Sequence, residues 1–364
     1  MRWLYAMLIP LSLCVIPLGA VAQTDAAAVG FNLSVLPAKD GYPAIDMAVW
    51  YPAYGEGTPR LVGDNAVFVG MAVAVDARPR PGRHPLAVIS HGFGGNWRNQ
   101  LWLAGELASQ GYIVAAPNHP GTTTDNRDPA LAAQLWRRPG DISRVIDAVT
   151  TRPDRFGAVA VDKIAVIGHS MGGWTALELA GARFDPGLFA QDCRLHPILA
   201  SCRVYQQIAA GGSATLTQRL AMNWRDKRVG AIVTLDSGLT RGFSAASLGG
   251  ITLPVLIIAA GAPSADLPAA LESHALAQRL PAATTRYVEI SDATHFSFMS
   301  VCKPGGADMI EREEPGEGII CRDGGTRYSG LPSDSPSGPV IRNRQIIHKQ
   351  TATLIRDFLA GVWR

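Results

Sequence analysis

A serine pinned between glycines on a tight turn, with a histidine and a carboxylate further along the chain, has the groups for nucleophilic attack on a carbonyl. Gly168-His169-Ser170-Met171-Gly172 fits G-x-S-x-G, the strand-to-helix turn that exposes a serine above a sheet. A side chain at either glycine would collide with neighbouring backbone. The apolar run Ile164-Ala165-Val166-Ile167 precedes the turn and helical spacing over Trp174–Ala182 follows it, so Ser170 is the expected nucleophile. A serine hydroxyl barely ionises near neutral pH and needs a base, for which histidine, with an unperturbed pKa of about 6.5, is suited. The chain has eight histidines: His84, His91, His119, His169, His196, His274, His295 and His348. His295 follows the last strand candidate directly, where the order serine, acid, histidine puts the base. His91 and His169 flank the two glycine-rich turns and are expected to hold loop geometry; His348 lies in a helix far down the chain.

The acid that orients the imidazole should come from a strand end between nucleophile and base. Asp236 sits immediately after the strand candidate Gly230–Leu235. Asp266 lies six residues beyond Ala260, after the strand candidate Pro254–Ala260, and is displaced by Pro263. Asp236 is preferred and Asp266 is the alternative, with Asp292 third because it is too near His295 in sequence. Charge developing on the carbonyl oxygen needs preorganised N–H donors. Met171, the residue after the nucleophile, is expected to supply one; the turn His91-Gly92-Phe93-Gly94-Gly95 is expected to supply the other, through Phe93.

The elements that would carry these groups alternate strand and helix. Phe31–Leu36 and Ala44–Tyr51 read as strands around the turn Asp40-Gly41-Tyr42-Pro43, and Leu86–Ser90 as a short apolar strand ending at the His91 turn. Helix Leu101–Gln110, strand Tyr112–Pro117, helix Asp141–Thr150, the Ser170 strand and turn, and strands Gly230–Leu235, Pro254–Ala260 and Arg286–Ile290 follow. Near-continuous apolar strands alternating with helices predict an α/β fold: one domain with a mostly parallel central sheet and helices on both faces. Two stretches interrupt the alternation. Residues 184–227 are expected to form a cap over the carboxyl ends of the strands, and 301–339, rich in Gly and Pro, a long braced loop. The stripe Ile347, Leu354, Ile355, Phe358, Leu359 and Val362 makes Ile341–Trp363 a core-facing terminal helix.

With 364 residues, 47% hydrophobic and 17% charged, the chain can bury a core, which argues against extended disorder. A net charge of +3 without any run of several adjacent Lys or Arg gives nothing to track a phosphate backbone, so no nucleic-acid partner is expected. Arg2, the apolar stretch from Trp3 to Leu18 and Ala20-Val21-Ala22 have the layout of a signal peptide cleaved after Ala22. An uncleaved anchor is the alternative, since about 18 apolar residues could just span a bilayer, but Pro10 and Pro17 break the stretch. A periplasmic or secreted product without a stable membrane anchor is therefore expected. Removing Cys14 leaves Cys193, Cys202, Cys302 and Cys321, an even set that favours disulfides over metal binding in an oxidising compartment. Of the three pairings, the local ones, Cys193 with Cys202 and Cys302 with Cys321, are expected because each would staple a loop-rich segment. The constellation requires neither metal nor cofactor.

Over about Leu86 to Met299 the sequence resembles the α/β-hydrolase superfamily, and within it bacterial dienelactone-hydrolase-like proteins related to platelet-activating-factor acetylhydrolase. The segments that carry the resemblance are Ser90–Gly95, Val114–Thr123, Arg138–Ser143, Gly168–Gly173 and Thr294-His295-Phe296. It implies an α/β-hydrolase fold with a cap insertion, and a serine esterase acting on a small-molecule ester. It also implies an acid at the position of Asp236, as in such acetylhydrolases. Dienelactone hydrolases use a cysteine nucleophile where this chain has Ser170, so that substrate does not carry over. The His91–Gly95 and Gly168–Gly173 motifs are also similar to those of secreted cutinase-like polyester hydrolases. Their acid follows the later strand, where this chain offers only Asp266. The expected function is cleavage of carboxylic esters of small or medium acyl groups. A lipase or polyester hydrolase is the alternative enzyme, and an inactive binding module of the same fold the alternative without chemistry.

Overall fold

The computed structural model describes residues 27–55, 59–209, 218–322 and 342–364. The stretch read as a signal peptide, Met1–Ala22, lies outside them, as does Ile341, the expected start of the terminal helix. In chain order the strands are β1 (Ala27–Leu36), β2 (Ile45–Tyr54), β3 (Arg60–Val62), β4 (Met71–Val75), β5 (Arg83–Ser90), β6 (Ile113–Pro117), β7 (Ala158–His169), β8 (Ala231–Leu235), β9 (Val255–Ala260) and β10 (Thr285–Ile290). They form one sheet in the order β10-β9-β8-β7-β5-β6-β2-β1-β4-β3. From β10 to β6 every neighbouring pair is parallel. β2 then joins β6 antiparallel and β1 joins β2 antiparallel. The chain therefore has the α/β-hydrolase fold.

Period-two alternation explains why the central strands read as unbroken apolar runs. Leu86 and Val88 of β5, Ile164 and Val166 of β7, and Val255 and Ile257 of β9 pack on one face. Ala87 and Ile89, Ala165 and Ile167, and Leu256 and Ile258 pack on the other. Helices Arg137–Thr150 and Met171–Ala180 close the first face through Ile142, Val145, Ile146, Trp174 and Leu177. Helices Leu101–Ser109 and Arg344–Val362 close the second through Leu103, Leu107, Ile347, Ile355 and Leu359. A strand covered on both sides has no polar face to show.

The structure differs from the sequence reading at several boundaries. The helix expected to begin at Asp141 begins at Arg137. Pro139 hid its first turn, but the first four N–H groups of a helix have no intrahelical acceptor, so a proline there costs no hydrogen bond. The segment expected to cap the strands contains helices Pro186–Leu195 and Ala200–Ala209, and the stretch read as a loop contains helix Gly306–Glu313. Disulfides join Cys193 to Cys202, with Cα atoms 5.5 Å apart, and Cys302 to Cys321, at 5.6 Å. Protein beginning after Ala22 should therefore show no free thiol when denatured unreduced and four after reduction, measured by thiol titration. Replacing both Cys302 and Cys321 by Ser should cost about 2–4 kcal/mol in denaturant unfolding. Free thiols before reduction would contradict the pairing. Among the described residues no helix is long and apolar enough to cross a membrane.

Candidate active site

Ser170 stands between the end of β7 and the start of helix Met171–Ala180, with φ 56° and ψ −122°. A non-glycine residue in this region stores about 1–3 kcal/mol of strain. The surroundings impose it. The Ser170 N–H donates to the carbonyl of Leu235 at 3.0 Å, and Gly173 donates back to the Ser170 carbonyl at 2.9 Å. A Cβ at Gly168 would overlap the Gly172 backbone, and one at Gly172 would overlap the Ser90 carbonyl. Both glycines are thus required by close approach.

Asp236 ends β8 with φ 45° and is buried. Its N–H donates to Ile258 O at 2.8 Å, its Oδ1 accepts the N–H of Ala260 at 3.0 Å, and its Oδ2 lies 2.7 Å from His295 Nδ1. That pairing leaves Nε2 of a partly exposed imidazole free of the carboxylate. His295 opens the 3₁₀ turn His295–Phe298, closed by a reciprocal Thr294–Ser297 capping box. Donors from several elements pin this loop. His169 Nε2 donates to the His295 carbonyl at 3.0 Å, Trp102 Nε1 to Phe298 O at 3.0 Å, His348 Nε2 to Met299 O at 2.9 Å and Arg344 Nη1 to Ser300 O at 2.8 Å. The His169 ring also packs 4.6 Å from the His295 ring, centroid to centroid. His169, next to Ser170 in the chain, thereby brings the imidazole loop to the serine turn.

The other carboxylates go elsewhere. Asp266 is exposed, faces Arg203 at 3.3 Å and gives its backbone carbonyl to Ala200 N at 2.8 Å. Asp292 is held by Arg342 at 2.6 and 2.7 Å, which keeps its carboxyl below the usual range. Among the described residues, the His, Cys, Asp or Glu group close enough to hold a metal is Asp192 with Cys193 and Cys202. Both sulfurs there are consumed in a disulfide.

The turn His91–Gly95 lies against the serine: a Cβ at Gly92 would sit 3.0 Å from Ser170 Cβ. Gly95 N–H donates to Gly92 O at 3.2 Å and Gly94 N–H to Thr122 O at 2.9 Å. Gly94 has φ 70°, a conformation glycine adopts without penalty. Beneath the turn is a buried polar cluster whose connections sequence reasoning did not find. His119 Nδ1 lies 3.0 Å from Asp141 Oδ2 and its Nε2 3.0 Å from Ser90 Oγ. Arg138 donates from Nε to Thr175 Oγ1 at 3.0 Å and from Nη1 to Thr122 Oγ1 at 2.6 Å. Its Nη2 donates to Ser90 Oγ at 3.2 Å and to the carbonyl of His91. Burial, with Arg138 adding, lowers His91 to about 3 and holds His119 well below its ordinary value, so both imidazoles are neutral. Burial raises the Asp141 carboxyl against the pull of Arg144, Arg138 and Arg137. It lowers the Arg138 guanidinium to about 9, still charged at neutral pH. The segments His119–Thr123 and Arg138–Ser143, singled out in sequence without a role, supply most of this cluster.

A serine on a strained strand-to-helix turn, beside a histidine loop after the last strand of a parallel sheet, has the architecture of an α/β hydrolase. The chain belongs to the alpha/beta hydrolase family, whose profile matches residues 87–302. It is 30% identical over 132 residues to a bis(hydroxyethyl) terephthalate hydrolase of Streptomyces coelicolor, covering 34% of this chain and 40% of that protein. It is 28% identical over 215 residues to the cutinase est1 of Thermobifida alba, covering 57% of this chain and 52% of that one. The match thus spans about half or less of each curated relative. A ferulic acid esterase from Streptomyces cinnamoneus shares the fold, with a TM-score of 0.58 at 20% identity over 94% of this chain and 91% of that one.

Proposed function

We propose that this protein is a serine carboxylic-ester hydrolase with Ser170 as nucleophile, His295 as base, Asp236 as the acid that orients it, and the N–H groups of Phe93 and Met171 as the oxyanion hole. The observation that carries the reading is the 2.7 Å bond from His295 Nδ1 to Asp236 Oδ2. With Nδ1–H donated to a carboxylate, Nε2 carries the lone pair that accepts the Ser170 proton. Ser170 Oγ adds to the ester carbonyl, and the oxyanion that forms is met by two N–H donors. The imidazolium then returns its proton to the departing alcohol. Water, activated by the same imidazole, releases the acid from the acyl-serine.

An acid after β8 supports placing the chain near the acetylhydrolase-like branch, and the first reading takes esters of small or medium acyl groups as substrates. The terephthalate hydrolase and cutinase among its relatives support the second reading, a polyester or aromatic-ester hydrolase. In both readings helices Pro186–Leu195 and Ala200–Ala209 belong to a cap that sets acyl length, and the chain is exported after cleavage at Ala22.

The test is hydrolysis of p-nitrophenyl esters from acetyl to dodecanoyl alongside bis(hydroxyethyl) terephthalate and a polyester film. Inactivation by diethyl p-nitrophenyl phosphate, with the adduct mapped by mass spectrometry, is followed in parallel. The expected result is turnover of the short esters, lost as one phosphoryl adduct forms on Ser170. Turnover that survives full labelling of Ser170, or an adduct on another residue, overturns the assignment. Release of soluble products from the film selects the second reading.

A further inference from the structure

The cluster under the oxyanion turn repeats the connectivity Asp–His–Ser, through Asp141, His119 and Ser90, but all three are buried to 1% exposure or less, so no substrate reaches them. It is not needed to fill space either. Buried ionic groups cost several kcal/mol of desolvation each, and apolar residues of similar volume usually serve stability as well or better. What the cluster does is visible in where its bonds end.

We propose that Arg138 is a positioning residue, a strut that sets the separation between the two oxyanion donors, Phe93 N–H and Met171 N–H. This rests on the serine-hydrolase reading given above. One end of the strut grips the turn. Nη2 donates to the carbonyl of His91, and Nη1 holds Thr122, whose own carbonyl takes the N–H of Gly94 at 2.9 Å. Phe93 is therefore flanked on both sides by backbone groups tied to Arg138. Between them, His91 Nδ1 donates to Gly92 O at 2.7 Å, while its Nε2 accepts the N–H of His119 at 3.0 Å. Gly92 C=O and Phe93 N–H belong to one planar peptide unit, so fixing the first aims the second.

The other end grips the serine helix. Arg138 Nε donates to Thr175 Oγ1, whose hydroxyl donates to the carbonyl of Met171 at 3.2 Å. One guanidinium thus spans both halves of the oxyanion hole. Its planar fork serves four acceptors from three segments at fixed angles, a geometry that the point charge of a lysine cannot reproduce. The His119–Asp141 pair and Ser90 complete the setting. Ser90 Oγ accepts a hydrogen bond from Arg138 and donates its O–H to His119 Nε2, while His119 Nδ1–H donates to Asp141.

The experiment compares wild type with Arg138→Lys, Arg138→Met and the uncharged single-arm variant Thr175→Val, each checked for fold by circular dichroism. Readouts are kcat and KM for p-nitrophenyl acetate and the inhibition constant of an alkyl trifluoromethyl ketone, whose hemiketal oxyanion occupies the hole. Both Arg138 variants should lose about 10²–10³-fold in kcat, the loss seen when one oxyanion donor is removed. KM should stay within about threefold, and the ketone should weaken in proportion to kcat. Thr175→Val, which frees one arm, should lose about tenfold in both and remains readable if the Arg138 variants fail to fold. A folded variant with unchanged kcat overturns the proposal, as does a kcat loss unaccompanied by weaker ketone binding. Failure of the hydrolase reading itself would show separately, as wild-type turnover persisting in Ser170→Ala.

Discussion

Asp236→Asn is expected to lower kcat for p-nitrophenyl acetate about 10⁴-fold while the protein stays folded. The reason lies in how the carboxylate is divided. Oδ1 accepts the N–H of Ala260 at 3.0 Å, so an asparagine keeps its carbonyl oxygen on that side and turns its amide NH₂ toward His295 Nδ1. Nδ1 must then accept instead of donate, the imidazole proton moves to Nε2, and Nε2 has no lone pair left to take the serine proton. Asp266→Asn should remain near wild type, because that carboxylate is exposed and its partner is Arg203. Ser170→Ala sets the floor, at about 10⁶-fold. Steady-state kinetics on the three variants, with thermal unfolding as the fold control, decide the matter. A large loss in Asp266→Asn with activity kept in Asp236→Asn would sink the assignment.

The choice between the two acids shows what the sequence could and could not carry. Both candidates follow strands between Ser170 and His295, and the chain alone could rank them only by nearness to the strand end and by the family resemblance. What supports Asp236 beyond sequence is a contact between residues 59 apart in sequence, which depends on β8 and β9 pairing side by side and on where the loop after β10 turns. The strands themselves were legible because burial on both faces leaves runs such as Val255–Ala260 with no polar residue. Where a strand is half exposed the signal fades. β7 extends back to Ala158, pairing with Arg83 and His84 of β5 across an irregular register, and Asp162-Lys163 hid that extension. The β3–β4 hairpin, with Arg60 and Leu61 exposed, was missed for the same reason.

Other misses had a readable signal. Asp185-Pro186 is an N-cap followed by proline at the first helical position, and Asp185 Oδ1 does accept the N–H groups of Gly187 and Leu188. The helix in the segment treated as a cap could have been placed from that pair. Arg138 had no such signal. Its acceptors come from β5, the His119–Thr123 loop and the serine helix, and only the folded chain brings those segments to one guanidinium.

Gly172→Ala should show how little room the serine turn has. Its added methyl would overlap the carbonyl oxygen and carbon of Ser90 and come within 3.1 Å of the His91 carbonyl oxygen. These are backbone atoms at the end of a central strand, where Ser90 is in register with Gly168 and Ile89 with Ile167, so they cannot rotate away as a side chain would. The helix start must move instead. That motion carries Met171 N–H away from Phe93 N–H and pulls against the Thr175 arm of Arg138. Losing one oxyanion donor is worth about 10²–10³ in kcat, and overpacking adds about 1–3 kcal/mol of lost stability. Gly361→Ala, in the terminal helix, where the new methyl would meet nothing within 4 Å beyond its chain neighbours and its own helix backbone, is the matched control. It should leave kcat unchanged and raise stability by about 0.4–1 kcal/mol by narrowing the unfolded ensemble. If Gly172→Ala turns over ester at the wild-type rate, the two donors are not held by this contact, and the close approach of β5 to the serine helix has no part in catalysis.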